Sequence, residues 1–351
     1  MKLIIQIPCF NEEASLPVTL ADLPKQIDGI DEIEILVIDD GSSDRTVEVA
    51  RGHGVHHVVG FASNKGLARA FMLGIQSSLA RGADIIVNTD ADNQYVGADI
   101  PQLVAPILVG KADIVIGARP IGTIEHFSLA KKLLQKAGSA VVKLVSGTTV
   151  LDAPSGFRAF SRDAALSLNV FSKYTYTLET IIAAGQKNFN VVSVPIRVNR
   201  DLRPSRLVRS VPAYVRKSMI TIVRMFVVYR PFRFFMVIGA VIFAAGTAIA
   251  ARFLYYYFVL QQGSGKVQSL LLAAVLLMMG FHTMLLAFVT DLLSVNRRLL
   301  EELQAYHRER AIREGGAWLG AAGPTRELPS SGAEPPFAVD QLASSSTPPR
   351  A

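Results

Sequence analysis

The sequence predicts an α/β domain with a mostly parallel sheet, followed by a hairpin of two membrane-spanning helices. Three observations support this prediction. Short apolar runs alternate with helical patterns through residues 1–200, as in sheets whose strands are joined by helical crossovers. Residues 234–260 and about 267–290 are each long and apolar enough to cross a bilayer. Lys and Arg flank this pair on both sides, whereas the short turn between them has one lysine.

Strand and helix patterns follow one another in order. Strand patterns cover LIIQIP, IEILVI, HHVVG, ADIIVNTD and ADIVIGAR. Helix patterns cover NEEASLPVTLADL, with an acidic first turn, then TVEVARG and NKGLARAFMLGIQSSLARG, the last two ended by glycine. A basic helix is expected over 126–150, then a helix at YTLETIIAAGQK and a strand at VVSVPIRVN. Ligands of such sheets bind beyond the carboxyl ends of the strands.

Changes in composition predict the domain organisation. We expect a globular domain at 1–206, amphipathic interfacial helices at 207–233, two spans within 234–290, a charged helix at 291–314 and a disordered tail at 315–351. The basic flanks predict that the globular domain and the charged helix are cytoplasmic.

Charge and cysteine content narrow the class of protein. The net charge is +7, and the basic surplus lies beside the spans, where it favours anionic lipid headgroups over nucleic acid. The single cysteine, Cys9, excludes an intrachain disulfide and fits a reducing compartment. Small residues in the first span permit close helix contact, either in a homo-oligomer or against the second span.

Two aspartates one residue apart follow the apolar run ADIIV. Asp90 and Asp92 would project to the same side of an extended segment, and Gln94 continues that row. Two carboxylates and an amide oxygen are hard ligands suited to Mg²⁺ or Mn²⁺, which keep positions open for substrate phosphates. A solvated loop with scattered acids is the alternative. The position at a strand end favours the metal site.

Other charged residues lie at strand ends and helix starts. Asp39 and Asp40 end a strand, where carboxylates can accept hydrogen bonds from a nucleobase or a ribose, whereas Asp44 is equally suited to capping the next helix. Lys65 and Arg69 lie four residues apart at a helix N-terminus, which favours anions, with a solvated face as the alternative.

The ordered set IPCFNEE, VIDDGSSD, NKG, DADNQ, GAR and D-x-x-SGFRA resembles the motifs of the GT-A family 2 glycosyltransferases. Within that family the chain is similar to the polyprenyl-phosphate sugar transferases of the dolichol-phosphate mannose synthase type, over about residues 1–206. The resemblance implies a Rossmann-like GT-A domain. It also implies inverting transfer of a hexose from a GDP- or UDP-sugar to a membrane polyprenyl phosphate, for cell-envelope or protein glycosylation.

The resemblance implies roles for individual residues. The catalytic set is Asp92, Arg119, Arg158 and Arg200, with the arginines 119 and 158 on phosphates. The metal ligands are Asp90, Asp92 and Gln94. The nucleotide-sugar contacts are Pro8, Asn11, Glu13, Asp39, Asp40, Lys65 and Asp90. The acceptor-phosphate contacts are Lys131, Gln135, Lys136 and Ser155. The family pattern R-x-x-G-x-S-K reads RDLRPSR here, with arginine in place of the glycine and of the lysine.

No general base is assigned, because a phosphate monoester is already largely anionic at neutral pH. Glu179 is a candidate, with a structural role as the alternative. A processive polysaccharide synthase typically carries Q-x-x-R-W, but the only tryptophan, Trp318, lies in the tail without that context. A nucleotidyltransferase needs a glycine-rich phosphate loop, which PCFNEE is not. A non-catalytic membrane scaffold is the alternative from another class, and the intact D-x-D pattern argues against it.

Overall fold

The computed structural model describes residues 1–120, 142–143, 146–170, 176–199, 219–220, 223–224, 227, 230–260, 267–314 and 326–327. The predicted site residues outside this set are Lys131, Gln135, Lys136 and Arg200. Most of the expected basic helix, most of the interfacial helices and nearly all of the tail also lie outside it.

Among the residues that the structure describes, eight strands form one sheet. They are β1 (Lys2–Cys9), β2 (Glu32–Asp39), β3 (His57–Gly60), β4 (Ile85–Asn88), β5 (Ile114–Ala118), β6 (Arg158–Ser161), β7 (Val191–Pro195) and β8 (Arg326–Glu327). Their order in the sheet is β7-β5-β6-β4-β1-β2-β3-β8. Strands β4, β1, β2 and β3 pair in parallel, as do β5 and β7, whereas β6 and β8 run antiparallel to their neighbours. The expected mostly parallel sheet is confirmed.

The sequence patterns do not predict β6. This strand lies between β4 and β5, and its first residue, Arg158, pairs with Asn88 and Ile116 near the carboxyl ends of those strands. Because β6 runs antiparallel, the turn that precedes it lies at the edge of the sheet where β4 and β5 end. The segment DAPSGF is thereby placed at the edge where ligands of parallel sheets bind.

Helices cover both faces of the sheet. They are α1 (Leu16–Ala21), α2 (Thr46–Gly52), α3 (Leu67–Ala80), α4 (Ile100–Leu108), α5 (Arg162–Ser167), α6 (Thr177–Gln186), α7 (Pro231–Phe258) and α8 (Val267–Arg313). Apolar side chains of α3, α5 and α6 pack on one face, and those of α1, α2 and α4 on the other. Strand β1 contributes Ile4 to the first cluster and Leu3 and Ile5 to the second, because its side chains alternate.

The predicted acidic first turn of the first helix is wrong. Helix α1 begins at Leu16, and Glu12 and Glu13 precede it. Pro17 in the first turn sets the start of the helix, because proline lacks the N–H that a helix interior needs. The Glu12 carboxylate instead accepts a hydrogen bond from the Ser15 hydroxyl at 2.6 Å.

Helices α7 and α8 are the two apolar helices that the sequence predicts. They contain 28 and 47 residues, with mean hydropathies of 2.3 and 2.2 in their apolar windows, so each is long and apolar enough to cross a membrane. They approach closely: a Cβ on Gly239 would lie 2.7 Å from the Met284 side chain, and one on Gly280 would lie 2.6 Å from the backbone nitrogen of Phe243. The small residues therefore serve contact between α7 and α8 within one chain.

The expected charged helix at 291–314 is the uninterrupted continuation of α8, and its polar face docks on the α/β domain. Arg308 is 4% exposed. Its Nη1 donates to the carbonyl oxygens of Leu166 and Leu168 at the end of α5, at 3.0 and 2.6 Å, and its Nη2 donates to Asn169 Oδ1. Arg308 therefore satisfies carbonyl groups that the end of a helix leaves without intrahelical partners.

A second polar contact lies two turns earlier on α8. Glu301 is 5% exposed and lies 3.3 Å from the ammonium group of Lys187, which follows α6. Arg297 of α8 lies 2.7 Å from the same carboxylate. The apolar hairpin is thus joined to the α/β domain through buried charges.

Removing Arg308 tests this joint. Arg308→Ala leaves buried carbonyl oxygens without donors, which costs roughly 1–3 kcal/mol for each such group. We expect the melting temperature of the full-length protein in detergent to fall by several degrees, with earlier proteolysis between α8 and the domain. Arg310→Ala is the matched control. Among the described residues the Arg310 side chain pairs only with the exposed Glu314, so its loss should change stability little. Equal melting temperatures for the two variants would contradict the docking.

Candidate active site

The two aspartates that the sequence predicts as metal ligands follow β4 at the ligand-binding edge of the sheet. Asp90 and Asp92 are partly exposed, and Ala91 between them is buried. The backbone N–H of Gln94 donates to Asp92 at 3.2 Å. No described residue donates a hydrogen bond to the Asp90 carboxylate. The two carboxylates therefore have oxygens available to a ligand.

Contacts on both sides fix this loop. The hydroxyl of Thr19 in α1 donates to the carbonyl oxygen of Ala91 at 3.1 Å. From the other side, the Asn199 side chain donates to the carbonyl oxygen of Asn93 at 3.1 Å. The backbone N–H of Asn199 donates to the carbonyl oxygen of Gln94 at 2.9 Å. The predicted ligands are thus held by a well-connected backbone, which lowers the entropy lost when a ligand binds.

Asp90 and Asp92 lie in a crevice beyond the carboxyl end of β4, and these surroundings are unfavourable for two ionised carboxylates. Burial raises the pKa of Asp90 from its ordinary 3.8 to about 7, and the negative charge of Asp92 adds to the rise. Glu12 contributes a smaller increase, which the positive charge of Arg119 opposes. A cation bound beside these carboxylates would supply the charge that the chain does not.

The donor set fits a hard divalent cation. Within the part of the chain that the structure describes, no three His, Cys, Asp or Glu side chains form a metal cluster. The chain would therefore contribute two carboxylates, Asp90 and Asp92, with Gln94 beside them. Mg²⁺ and Mn²⁺ are commonly held by one or two carboxylates, with the other positions left to water and substrate phosphates.

A glycine lets the DAPSGF turn pass close to these acids. The N–H of Gly156 donates to the Tyr95 hydroxyl at 3.0 Å, and its carbonyl oxygen accepts from Asn88 at 2.9 Å and from Tyr176 at 3.4 Å. A Cβ at this position would lie 2.9 Å from a carboxylate oxygen of Asp90. Any side chain here would displace the acid, so the close packing requires glycine.

Arg119, which the sequence predicts to bind phosphate, is held in its orientation by a buried carboxylate. Its Nε and Nη2 donate to the two oxygens of Asp152 at 2.7 and 3.1 Å, and its backbone N–H donates to the same carboxylate at 3.2 Å. The side chain of Asp152 is 1% exposed and that of Arg119 is 10% exposed. This pairing, with the nearby Tyr95 and Asp90, raises the pKa of Arg119. The Nη1 group makes no hydrogen bond with a described residue and remains available for an anion.

Arg158 has a different position from the one predicted. It is fully buried, and its guanidinium donates to the carbonyl oxygens of Ser155, Ala153 and Thr177 and to the Thr180 hydroxyl, at 2.6–2.8 Å. Burial lowers the pKa of Arg158 to about 10. This arrangement gives it no free face toward the crevice, so the structure does not support its predicted phosphate contact. Arg158 instead ties the DAPSGF turn to α6.

Two further predicted residues are buried. Ser155 is fully buried, and its hydroxyl has no hydrogen-bond partner among the described residues. Its acceptor-phosphate contact stays a prediction, and the hydroxyl would have to become accessible to make it. Glu179 is fully buried on α6, which favours the structural alternative over a general base.

The carboxylates that end β2 mainly organise neighbouring loops. Asp39 is 6% exposed and accepts the backbone N–H of Ser42 at 3.1 Å. Asp40 accepts the N–H groups of Lys65 and Gly66 at 2.7 and 2.8 Å, one on each oxygen. Burial raises the pKa of Asp40. Asp40 therefore fixes the NKG turn, and its predicted nucleotide contact would compete with these bonds.

The residues after β1 make similar bonds between loops. Asn11 has a φ of 56°, and its side-chain oxygen accepts the N–H of Ser43 at 2.8 Å. A carboxylate oxygen of Glu13 accepts the N–H of Arg45 at 3.1 Å. Pro8 is buried in β1. These contacts shape the walls of the crevice where the sequence predicts nucleotide binding.

The charged residues at the starts of α2 and α3 lie at the protein surface or bond locally. Asp44 accepts the N–H of Thr46, the first residue of α2, at 3.0 Å, but the N-cap position itself is Arg45, which makes no side-chain capping bond. Lys65 and Arg69 have exposed side chains beside the N-terminus of α3.

Sequence reasoning assigned no role to several residues that build this site, namely Asp152, Asn88, Tyr95, Gly156 and Tyr176. One signal was available, because Asp152 and Gly156 lie in the D-x-x-SGFRA pattern. The hydrogen bonds of Asn88 and the two tyrosines to Gly156 depend on strand pairing, which the sequence alone does not give.

Comparisons with known proteins show which family the chain resembles. The family model for glycosyl transferase family 2 matches residues 4–168. The chain is 30% identical over 218 residues to an undecaprenyl-phosphate mannosyltransferase of Micrococcus luteus, covering 59% of this chain and 88% of that protein. It is 29% identical to a polyprenol monophosphomannose synthase of Mycolicibacterium smegmatis, covering 58% and 80%.

A solved structure shows the same fold. Glucosyl-3-phosphoglycerate synthase from Mycobacterium tuberculosis, in complex with phosphoglyceric acid, superposes with a TM-score of 0.50 at 22% identity, covering 64% of this chain and 79% of that chain. This likeness confirms the expected GT-A fold of the α/β domain.

Replacing Asp152 tests the aiming of Arg119. Asp152→Asn keeps the side-chain volume but removes the charge that holds the guanidinium. We expect the affinity for UDP or GDP, measured by calorimetry with Mn²⁺ present, to fall about tenfold, which is roughly 1.4 kcal/mol. Asp163→Asn, an exposed acid on α5, is the matched control. A folded Asp152→Asn protein with unchanged affinity for both nucleotides would contradict the assignment.

The raised pKa of Asp90 predicts pH-dependent metal binding. The protein without nucleotide must release a proton from Asp90 before its carboxylate binds a cation, and below pH 7 the protonated form is favoured. Mn²⁺ affinity, followed by electron paramagnetic resonance, should fall about tenfold from pH 6.5 to pH 5.5 and change little above pH 8. Asp90→Asn should bind weakly at every pH. Constant affinity between pH 5.5 and 8 would show that Asp90 is not a ligand.

Proposed function

The chain belongs to glycosyl transferase family 2, and we propose that it transfers a hexose from a nucleoside diphosphate sugar to a polyprenyl phosphate in a membrane. The observation that carries this proposal is the uncompensated acid pair, Asp90 and Asp92, beside a carboxylate-aimed arginine at the end of a parallel sheet. The same domain is joined to two helices long and apolar enough to enter a bilayer.

The donor's diphosphate would lie in the crevice at Asp90 and Asp92. A divalent metal bound there, Mg²⁺ or Mn²⁺, would stabilise the negative charge that grows on the departing diphosphate. Asp90 and Asp92 would hold that cation through their carboxylates, with Gln94 beside them. Arg119 directs its free Nη1 at a phosphate oxygen, and Asp152 prevents the guanidinium from turning away.

The acceptor explains why the crevice needs no strong base. A lipid phosphate monoester is already largely dianionic near neutral pH, so one of its oxygens can attack the anomeric carbon directly. The bond from that carbon to the diphosphate breaks as the new one forms. Direct displacement inverts the anomeric centre, so an α-linked donor gives a β-linked product. The burial of Glu179 agrees with a reaction that uses no base on α6.

The apolar hairpin gives the enzyme access to this acceptor. A polyprenyl chain leaves a bilayer at a cost of about 0.8 kcal/mol for each CH₂ group, so the active site must come to the membrane surface. Helices α7 and α8 would anchor the protein. The basic residues on both sides of the pair support a catalytic domain on the cytoplasmic side, because cytoplasmic flanks carry an excess of Lys and Arg. The docked end of α8 then fixes the distance between crevice and bilayer.

The names of the relatives support the acceptor class more than the sugar. They include undecaprenyl-phosphate and polyprenol monophosphate mannosyl enzymes. A Methanococcus voltae relative, 30% identical with 83% of its length covered, is a UDP-N-acetylglucosamine–dolichyl-phosphate N-acetylglucosaminyltransferase. All three names specify a polyprenol or dolichol phosphate acceptor, whereas the sugar that they name differs.

A transfer assay tests the proposal. Membranes containing the full-length protein are incubated with a panel of radiolabelled GDP- and UDP-sugars and a polyprenyl phosphate. We expect one donor to give an acid-labile glycolipid, and EDTA or Asp92→Ala to reduce its formation at least a hundredfold. Asp163→Ala, which changes an exposed acid of α5, should retain full activity. Unchanged product with Asp92→Ala, or with EDTA, would refute the proposed mechanism.

The same assay separates the other candidates. A non-catalytic scaffold would consume no sugar nucleotide. A processive synthase would release a polymer that does not partition with lipid.

A further inference from the structure

The end of α8 beyond the membrane is amphipathic in the reverse of the usual sense. A helix that docks on a globular domain normally buries its apolar face. Here the docked face carries the buried charges Glu301 and Arg308. The opposite face exposes a row of large apolar side chains, called the α8 stripe below: Leu292, Val295, Leu299, Leu303 and Tyr306.

The stripe lies directly opposite the docked face. At about 100° per residue, Leu292, Leu299 and Leu303 lie within about 20° of the direction opposite Glu301. They are 69%, 58% and 51% exposed, and Tyr306 is 60% exposed. Because Glu301 and Arg308 hold the other side of the helix, α8 cannot rotate to bury the stripe without breaking those contacts.

A bilayer covers only the start of the stripe. The charged part of α8 begins at Asp291, and the headgroup layer adds only about 5–8 Å beyond the hydrocarbon core. At about 1.5 Å per residue, Leu299 lies about 12 Å and Leu303 about 18 Å past Asp291 along a helix that crosses the membrane steeply. The membrane itself therefore leaves these side chains in water.

We propose that the α8 stripe is the contact surface for a second copy of this chain. Copies inserted in one membrane share the same orientation, so their α8 helices are necessarily parallel. The row spaced three and four residues apart is the pattern by which parallel helices pack side by side. A two-fold axis along the helices would bring each stripe residue against its own counterpart, which is a self-complementary contact.

The row also continues into the apolar part of α8. Phe281, Leu285 and Phe288 are 53%, 47% and 56% exposed and share the same side of the helix at that spacing, although the Phe288 ring also packs edge-to-face on Phe232 of α7 at 5.3 Å. The contact can therefore run from the bilayer into the cytoplasm without a break. This step rests on the membrane insertion proposed above, and the test below does not use transferase activity.

Cysteine cross-linking of the full-length protein in native membranes tests the contact. The only native cysteine, Cys9, is 2% exposed and stays in place. Leu299→Cys places a thiol on the stripe, and Gln304→Cys places a thiol at another exposed position, on the flank of the same helix. Counterparts at a two-fold axis come within the Cα separation of roughly 7 Å that a disulfide allows. We expect mild oxidation to give at least fivefold more covalent dimer with Leu299→Cys.

A charge variant provides a second, independent readout. The double variant Leu299→Arg, Leu303→Arg should be monomeric where the wild-type protein is dimeric. Light scattering of the protein in nanodiscs large enough for two copies measures this difference. Mn²⁺ affinity should not change, because the stripe lies outside the crevice. Flotation of both variants with membranes checks insertion separately.

Three outcomes would overturn the proposal. They are equal cross-linking of the two cysteine variants, a wild-type protein that is monomeric at every protein-to-lipid ratio, and quenching of a label at Leu299 by brominated lipid chains. The last result would assign the stripe to the membrane surface instead.

Discussion

Two like charges in a partly buried crevice are the constraint on which this structure depends. Asp90 and Asp92 lie one residue apart after β4, with Glu12 adding negative charge. Burial and these neighbouring charges raise the pKa of Asp90, so two ionised carboxylates are unfavourable here without a cation. The chain holds the acids in place rather than separating them. Thr19 and Asn199 fix the loop, and Gly156 allows the neighbouring turn to pass within contact of Asp90. Such strained electrostatics are expected where a site is prepared for a ligand.

The antiparallel strand β6 brings the remaining parts of the site to these acids. By reversing direction between β4 and β5, it places the DAPSGF turn at the carboxyl ends of the parallel strands, and with it Asp152, the partner of Arg119. Buried Arg158 fastens that turn to α6, and Lys187, just after α6, contacts Glu301 of α8. The contacts of Arg158 and Lys187 therefore connect the DAPSGF turn, through α6, with the C-terminal part of the long helix α8. For a lipid acceptor, this connection sets where the crevice meets the membrane.

Residue patterns predicted the repeating parts of the molecule well. The parallel strands, the helices on both faces of the sheet and the two apolar helices follow from periodicity and length alone. Strand β6 was missed because RAFS is too short and too polar to show a strand pattern, and the acidic start of α1 was misplaced because the chain turns once more before Leu16. Within the site, the sequence indicated which residue types take part but not where each side chain points. Arg119 and Arg158 look alike in sequence, yet only Arg119 keeps a free nitrogen, because strand pairing and burial decide where each guanidinium points.

The most direct test of the acid pair is an anomalous-diffraction map of the protein crystallised with Mn²⁺ and a nucleoside diphosphate. The account predicts a manganese peak within about 2.0–2.4 Å of an Asp92 carboxylate oxygen, with diphosphate oxygens on its open side and Arg119 on the same phosphates. A manganese and nucleotide bound elsewhere, with Asp90 and Asp92 facing only solvent, would contradict it.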